Sequence, residues 1–351
     1  MMFVGGEFYY DGWGKIAQPV IDTRGMTFLS GGKACLIVIS DYLLSRGIDR
    51  ILLPSYLCPT IVDTLERCGL ACDYYQVNRD FSIDLDDLLC QAEGHRAFYF
   101  INYFGFQHSN LEKNFISFLQ SKGMFVVEDN AHAVFSVKTM GDFVFCSLRK
   151  LAPYDGGYLI TPHDIAPFIE KRSGTPNRRL PLIREYRTRL AEYLYKGLGS
   201  REDLVQLYEH AEQVYVEDMT VAGDAQEQEA IEHLDWNSIR ARRHVNYAYL
   251  LDLIKGIPGI EPVFPLLPPD LAPLGLPVYV SAADRDRLFD ALGEAGIGLT
   301  VHWDALLHDP RLNGNKTAVE MAGRMLTLVT DQRWGHKHMD YQAGAIRKIL
   351  T

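Results

Sequence analysis

The chain has 351 residues, 47% of them hydrophobic and 23% charged, a globular composition that excludes a disordered or collagen-like polymer. The length suits two domains, or one large domain with a smaller one attached. With 35 lysines and arginines against 45 aspartates and glutamates the formal charge is −10, so the broad positive field of a non-specific nucleic-acid binder is missing. No apolar run approaches the length of a membrane span, and Glu7 and Asp11 lie among the N-terminal aromatics where a signal peptide would be apolar; a cytoplasmic protein is expected.

Through the first 160 residues two sequence periods alternate. Residues 34–44 are apolar at helical spacing, with Gly47 placed to end the helix. Residues 51–54 read as a short buried strand closed by Pro54, and Pro59 suits the first position of a helix that stops near Gly69. A strand is expected at 73–77, a short helix at 84–90 and a strong strand at 97–102, rich in aromatics and isoleucine. Ser109-Asn110-Leu111-Glu112 is a capping box that opens a helix ending at Gly123. Strands follow at 124–127, 143–146 and 158–161. From 162 to 232 the pattern turns helical and polar, and residues 171–189 set seven cations against Glu185 alone. That run suits a solvated helix face, a dimer contact or a phosphate site. A long helix at 237–253, strands at 262–264 and 276–280, a helix at 285–296 and a strand at 299–302 make a small α/β unit.

Alternating strands and helices, with strands that are continuously apolar, predict an α/β fold built on a mostly parallel sheet covered on both faces. Ligands in such sheets bind beyond the carboxyl ends of the strands. Those ends carry Ser55-Tyr56, Tyr103-Phe104-Gly105, Glu128-Asp129 and Ser147 to Lys150, so a carboxylate, a lysine, a serine and aromatics would converge. Lys150 follows a buried strand and precedes the Asp155-Gly156-Gly157 turn. An amine in that position is desolvated and becomes a usable nucleophile, though a plain loop lysine has the same local sequence. Asp129 ends a buried strand, where a lone carboxylate is costly unless a cation faces it; a pyridinium nitrogen and a structural salt bridge both qualify. Ser30-Gly31-Gly32-Lys33 opens the first long helix, whose free N–H groups favour a phosphate, although ordinary turns look alike. Together the three fit pyridoxal 5'-phosphate. The six cysteines include no C-x-x-C pair and suit buried reduced thiols. His336 and His338 have no third ligand nearby, so no metal is expected.

The order of these motifs resembles the DegT/DnrJ/StrS-type sugar aminotransferases, fold-type-I enzymes dependent on pyridoxal phosphate. The matching pieces are Ser30-Gly31-Gly32-Lys33-Ala34, Leu53-Pro54-Ser55-Tyr56, Asn102-Tyr103-Phe104-Gly105, Glu128-Asp129-Asn130-Ala131-His132, and Phe145-Cys146-Ser147-Leu148-Arg149-Lys150 followed by Gly156-Gly157. The likeness continues through 234–243 and 285–303 and passes over roughly 165–230; the pairing of Asp129-x-x-His132 with Ser147-x-x-Lys150 is its specific part. It implies a large cofactor-binding domain at 1–235 and a small C-terminal α/β domain at 236–351. It also implies that Lys150 is the Schiff-base lysine and proton shuttle, that Asp129 holds the pyridine nitrogen protonated, and that His132 contacts the phenolic oxygen. Gly31, Gly32 and Ser147 would hold the phosphate.

The chain departs from the family pattern at three places. Cys58 stands where the family commonly stacks an aromatic on the ring, a role then left to Tyr56 or the Tyr103 loop. The family's asparagine motif that reaches the phosphate from the neighbouring subunit is not visible after residue 160, and the basic 171–189 run is the candidate substitute across a dimer. Lys33 and Arg149 replace residues that are often uncharged, which offers them to a phosphate or nucleotide. The resemblance implies a homodimeric aminotransferase, with its site at the subunit interface, that moves an amino group from glutamate to a nucleotide-linked keto-sugar. The alternatives are a lyase or dehydratase on a related substrate and a non-catalytic homologue that binds the cofactor or a sugar nucleotide. A nicotinamide dehydrogenase is disfavoured, since no G-x-G-x-x-G joins a strand to a helix.

Overall fold

The computed structural model describes residues 2–11, 14–136, 138–312 and 314–351. Its strands are β1 (Val4–Gly5), β2 (Thr27–Leu29), β3 (Arg50–Pro54), β4 (Ala71–Tyr75), β5 (Ala97–Ile101), β6 (Phe125–Asp129), β7 (Phe143–Phe145), β8 (Gly157–Ile160), β9 (Ile260–Pro262), β10 (Leu276–Val280), β11 (Ile297–Gly298) and β12 (Met325–Leu328). The α-helices are α1 (Gly32–Ser45), α2 (Pro59–Cys68), α3 (Leu85–Gln91), α4 (Asn110–Ser121), α5 (Ala166–Glu170), α6 (Arg179–Lys196), α7 (Arg201–Glu217), α8 (Ala225–Glu232), α9 (Trp236–Ile254), α10 (Ala282–Glu294), α11 (Lys316–Arg324) and α12 (His336–Leu350).

Seven strands form the main sheet in the order β2-β8-β7-β6-β5-β3-β4. From β4 across to β7 every pairing is parallel, and β8 alone runs antiparallel to both its neighbours, β7 and β2. All five residues of β5 are buried, as are the last four of β6, which requires cover on both faces of the sheet. Asp129 sits in register with Ile101 of β5 and Phe145 of β7, so the carboxyl ends of the three central strands finish level. Helix α1 is buried from Gly32 to Leu43, the all-round apolar character of a central helix. Pro59 occupies the first turn of α2, and Gly69 ends that helix in the left-handed conformation at φ 99°. The capping box on α4 forms as expected: the Glu112 N–H donates to Ser109 Oγ at 3.3 Å, and the Ser109 N–H donates to Glu112 Oε2 at 2.7 Å.

A second sheet, β12-β10-β9, is antiparallel and shares a core with α9, α10 and α12. Val4 belongs to that core because β1 pairs with β11, so the first residues of the chain pack with the last hundred. The sequence-based bounds differ from the structure at several edges. The strand expected at 73–77 is β4, and Val77 makes only an isolated bridge with Ile83. The strand expected at 262–264 is β9, and that expected at 299–302 is reduced to β11 with a lone Thr300–Thr327 bridge. Strands β2 and β12 and helices α11 and α12 were not anticipated; the two strands are three and four residues long, too short for periodicity to register.

The basic 171–189 run is neither a solvated face nor a bare anion site, because its guanidinium groups meet carboxylates of the same chain. Arg179 and Arg187 both pair with the buried Asp155, and Arg179 Nη2 also reaches Glu212 at 2.7 Å. Arg184 joins Asp224 and Glu227, and Arg172 holds Asp41 through two hydrogen bonds. Helices α6 and α7 close over a small core of Leu180, Ile183, Tyr186, Leu204 and Ala211.

Candidate active site

At the carboxyl ends of β5, β6 and β7 lies a cavity lined by Asp129, His132, Ser147 and Lys150, with Gly32 and Lys33 from α1, Cys58 and residues of α2, Tyr215 of α7, and Trp303. Four residues singled out from separate motifs, 129, 132, 147 and 150, thus share one wall. Lys150 ends a short 3₁₀ turn, Leu148–Lys150, after β7, and among the described residues its amine makes no hydrogen bond or ion pair. Burial, reinforced by the Arg149 charge, lowers its pKa from the ordinary lysine value and increases the fraction of free amine.

Asp129 is 4% exposed. Its Oδ2 accepts from the Tyr99 hydroxyl at 2.5 Å and its Oδ1 from the Ala131 N–H at 2.7 Å. Burial raises its pKa to about 6 despite those two donors and the Lys150 charge. Its neighbour Glu128 accepts hydrogen bonds from Asn102, Asn130 and the N–H groups of Met140 and Gly141, and has no part in the cavity. Two adjacent buried carboxylates are thus separated by strand alternation, one saturated by structural donors and the other facing the cavity.

His132 is buried and its Nδ1 accepts the Phe104 N–H at 3.2 Å, which leaves the ring proton on Nε2. Burial holds the imidazole well below its usual pKa, so the ring is a neutral donor. Its plane lies 22° from that of Trp303, with centroids 5.8 Å apart. Tyr56 does not reach the cavity. It is fully buried, its hydroxyl donates to the His302 carbonyl, and its ring packs against Phe81, Tyr103 and Trp303. The expectation that Tyr56 binds the cofactor is corrected on that ground: a tyrosine following a buried strand serves the core, and Cys58 two residues on supplies the wall.

At the helix end of the cavity, α1 starts without a side-chain cap and without an acidic residue in its first turn. Gly31 is the capping residue at φ 151°, a conformation open essentially to glycine alone, and it does not line the cavity. A Cβ on Gly32 would stand 3.3 Å from the Ser147 Cβ and 3.4 Å from the Phe145 ring, so glycine lets the helix start approach that strand end. The Ser147 hydroxyl has no hydrogen-bond partner among the described residues. Lys33 lines the cavity, but its amine donates to the carbonyls of Tyr215 and Val216 at 2.6 and 2.9 Å. It caps the C-terminal end of α7, where the helix dipole favours a cation, and this replaces its expected contact with the cofactor. Burial lowers its pKa to about 8.

The sequence gave no sign of Tyr215, which enters the wall from the polar helical segment. Its ring meets Arg149, Arg179 and Lys33, with the cations 4.7, 4.9 and 5.1 Å from the centroid. Segment 165–230 therefore contributes directly to the cavity.

No protein-family model matches the chain, and no curated protein matches it. Solved structures do. The sugar aminotransferase CalS13 from Micromonospora echinospora is 17% identical, with 92% of this chain and 87% of that one covered at a TM-score of 0.63. A DegT DnrJ EryC1 StrS aminotransferase from Brucella abortus is 16% identical over 93% of this chain and 86% of its own, at 0.61. NtdA from Bacillus subtilis, solved with bound cofactor PMP, is 13% identical over 93% and 73%, at 0.63. At such identities the likeness is one of fold, and the fold is the fold-type-I architecture of these aminotransferases.

Proposed function

We propose that this chain is a pyridoxal-phosphate-dependent aminotransferase that moves an amino group from glutamate to a nucleotide-linked keto-sugar. The observation that carries it is an unpartnered, desolvated Lys150 amine sharing a cavity wall with the buried carboxylate of Asp129. The rest of the donor set fits the cofactor. The uncapped start of α1 and the free Ser147 hydroxyl offer unspent donors to a phosphate, and glycine at 32 keeps the approach open. Asp129 has one donor on each oxygen and no cation in contact, which leaves lone pairs for a ring N–H. The fold shared with the PMP-bound structure adds support.

Bound there, the cofactor supplies an electron sink for the carbon that loses its proton. Asp129 holds a proton at the ring nitrogen, and contact with that cation brings its own pKa down. His132 donates from Nε2 toward an oxygen acceptor. Lys150, with its lowered pKa, takes a proton from the substrate carbon and returns it to the opposite end of the transfer. The walls from α2, Tyr215 and Trp303 exclude water. The acceptor and donor, the pairing of two subunits at the site and a cytoplasmic setting follow from the resemblance; the described residues hold no helix long and apolar enough to cross a membrane.

The deciding experiment is the visible absorption spectrum of the purified protein with pyridoxal phosphate, before and after glutamate. A lysine-bound band that glutamate converts to the amine form of the cofactor is the expected result. A band that glutamate leaves intact points to another donor, a lyase or a silent binder, and no band at all rejects the assignment of Lys150.

A further inference from the structure

A second cavity adjoins the first. Lys150 and Arg149 line both, and the second is completed by His302, by the Gly5–Phe8 stretch of the N-terminal segment and by Arg243 of α9. Arg243 is 1% exposed. Its plane is fixed by neutral acceptors: Nε donates to Gln332 Oε1 at 2.8 Å, and Nη1 to the carbonyls of Leu274 and Pro273 at 2.8 and 3.2 Å. Nη2 has no partner among the described residues.

The buried arginines in the described residues are Arg179, Arg187, Arg243 and Arg285, and the other three each pair with an aspartate. Arg243 has none. The nearest acidic group, Asp331, is already engaged by Arg333 and by the indole N–H of Trp334. A guanidinium this deep without a counter-ion is costly, and a fold that keeps one beside a reactive amine leaves room for an anion to arrive with the ligand.

We propose that this second cavity receives the carboxylate of the amino donor and that Arg243 Nη2 is its anchor. The inference rests on the transaminase function proposed above. It favours the donor over the acceptor for a chemical reason. The carboxylate of an amino acid is one bond from the carbon that bears the amine, so its anchor belongs in a cavity that Lys150 also lines. The diphosphate of a nucleotide-linked sugar is separated from the reacting carbon by part of a sugar ring and belongs further out. Binding of the carboxylate forms no covalent bond.

The test uses cofactor-loaded protein. Titration calorimetry with succinate, a dicarboxylate with no amine, should show binding to the wild type, and succinate should compete with glutamate in the loss of the visible band while inorganic pyrophosphate does not. In Arg243→Gln, succinate binding should disappear and the glutamate concentration for half-maximal conversion should rise at least about 30-fold, with a smaller change in the limiting rate. Arg243→Lys, which keeps the charge, should recover part of that affinity. If the glutamine variant fails to fold, judged by its melting curve, the wild-type competition decides alone. Failure of succinate to bind and compete, displacement by pyrophosphate instead, or wild-type half-saturation in a folded Arg243→Gln overturns the proposal while the glutamate-dependent band still upholds the transaminase. A protein that takes up no pyridoxal phosphate overturns the transaminase and this anchor with it.

Discussion

Two regions of this molecule bury charge, and they do it in opposite ways. Around Asp155, Arg179 and Arg187 converge on one carboxylate, and Glu212 takes the remaining contact of Arg179. Burial pushes the Asp155 pKa up, but the guanidinium groups of Arg187, Arg179 and Arg149 overcome it and hold the carboxyl well below the usual range. Around Lys150 the amine has no partner, and Asp129 is left with a raised pKa. The first region is electrostatically closed and its charges serve the fold. The second is open, and its charges are stabilised only when something else enters. Charge density in sequence would have ranked them the other way, since residues 171–189 are far more basic than the surroundings of Lys150.

That contrast breaks most sharply at Lys150. Replacement by alanine should abolish turnover, a loss of at least about 10⁴-fold, while the melting temperature stays level or rises because a desolvated amine is removed. Substantial residual turnover would place the chemistry elsewhere. The matching change in the closed region is Asp155→Asn, which strands two buried guanidinium groups. It should destabilise the protein by about 3–5 kcal/mol, measured by urea denaturation, and whatever folds should still take up cofactor. If Asp155→Asn costs nothing in stability but alters catalysis, the division between the regions is wrong.

Much of the open region was legible because its residues lie on motifs at strand ends, where the parallel sheet forces ligands to bind. Asp129, His132, Ser147 and Lys150 are each within five residues of β6 or β7, and short-range spacing identifies them. Tyr215 and Arg243 are contributed by helices α7 and α9, far along the chain, and only tertiary packing brings them to the cavities. Lys33 and Tyr56 failed for a related reason. Each is at a motif position, but a long side chain takes the nearest satisfying partner: the carbonyls of α7 for Lys33, the buried backbone of His302 for Tyr56. The closed region was misread because sequence shows cations without the acidic residues that meet them from positions such as Asp41, Asp155 and Asp224.

A smaller effect sharpens the open side through pH. In the cofactor-free protein Asp129 has its pKa raised by burial to about 6, so the folded state retains a proton that the unfolded chain has released above its ordinary value near 3.8. Stability from this group therefore falls as pH rises from about 4 to 6 and stays reduced above that window. Asp129→Asn, free of the penalty, should be more stable than the wild type at pH 8 by about 1–2 kcal/mol after allowing for one weakened hydrogen bond, and the gap should close below pH 4. Its affinity for pyridoxal phosphate should fall at the same time. Stability and cofactor binding moving in opposite directions is the signature of a carboxylate kept for a ligand.

The smallest expected effect tests whether basic charge in 171–189 matters where it is exposed. Arg189 pairs with Glu185 one helical turn away at 2.5 Å, but the two side chains are 55% and 46% exposed. Water and salt screen such a pair, and ordering two long side chains offsets most of the Coulomb gain. Arg189→Ala should change stability by no more than about 0.5 kcal/mol, with the difference shrinking further in high salt. Arg187, two residues away on the same helix and 1% exposed, meets Asp155 where no water competes. Its removal should resemble Asp155→Asn, because it leaves a buried carboxylate short of one cation. If the two arginines gave equal effects, burial would not be what separates a structural ion pair from a decorative one in this helix, and the distinction between the closed and open regions would lose its physical basis.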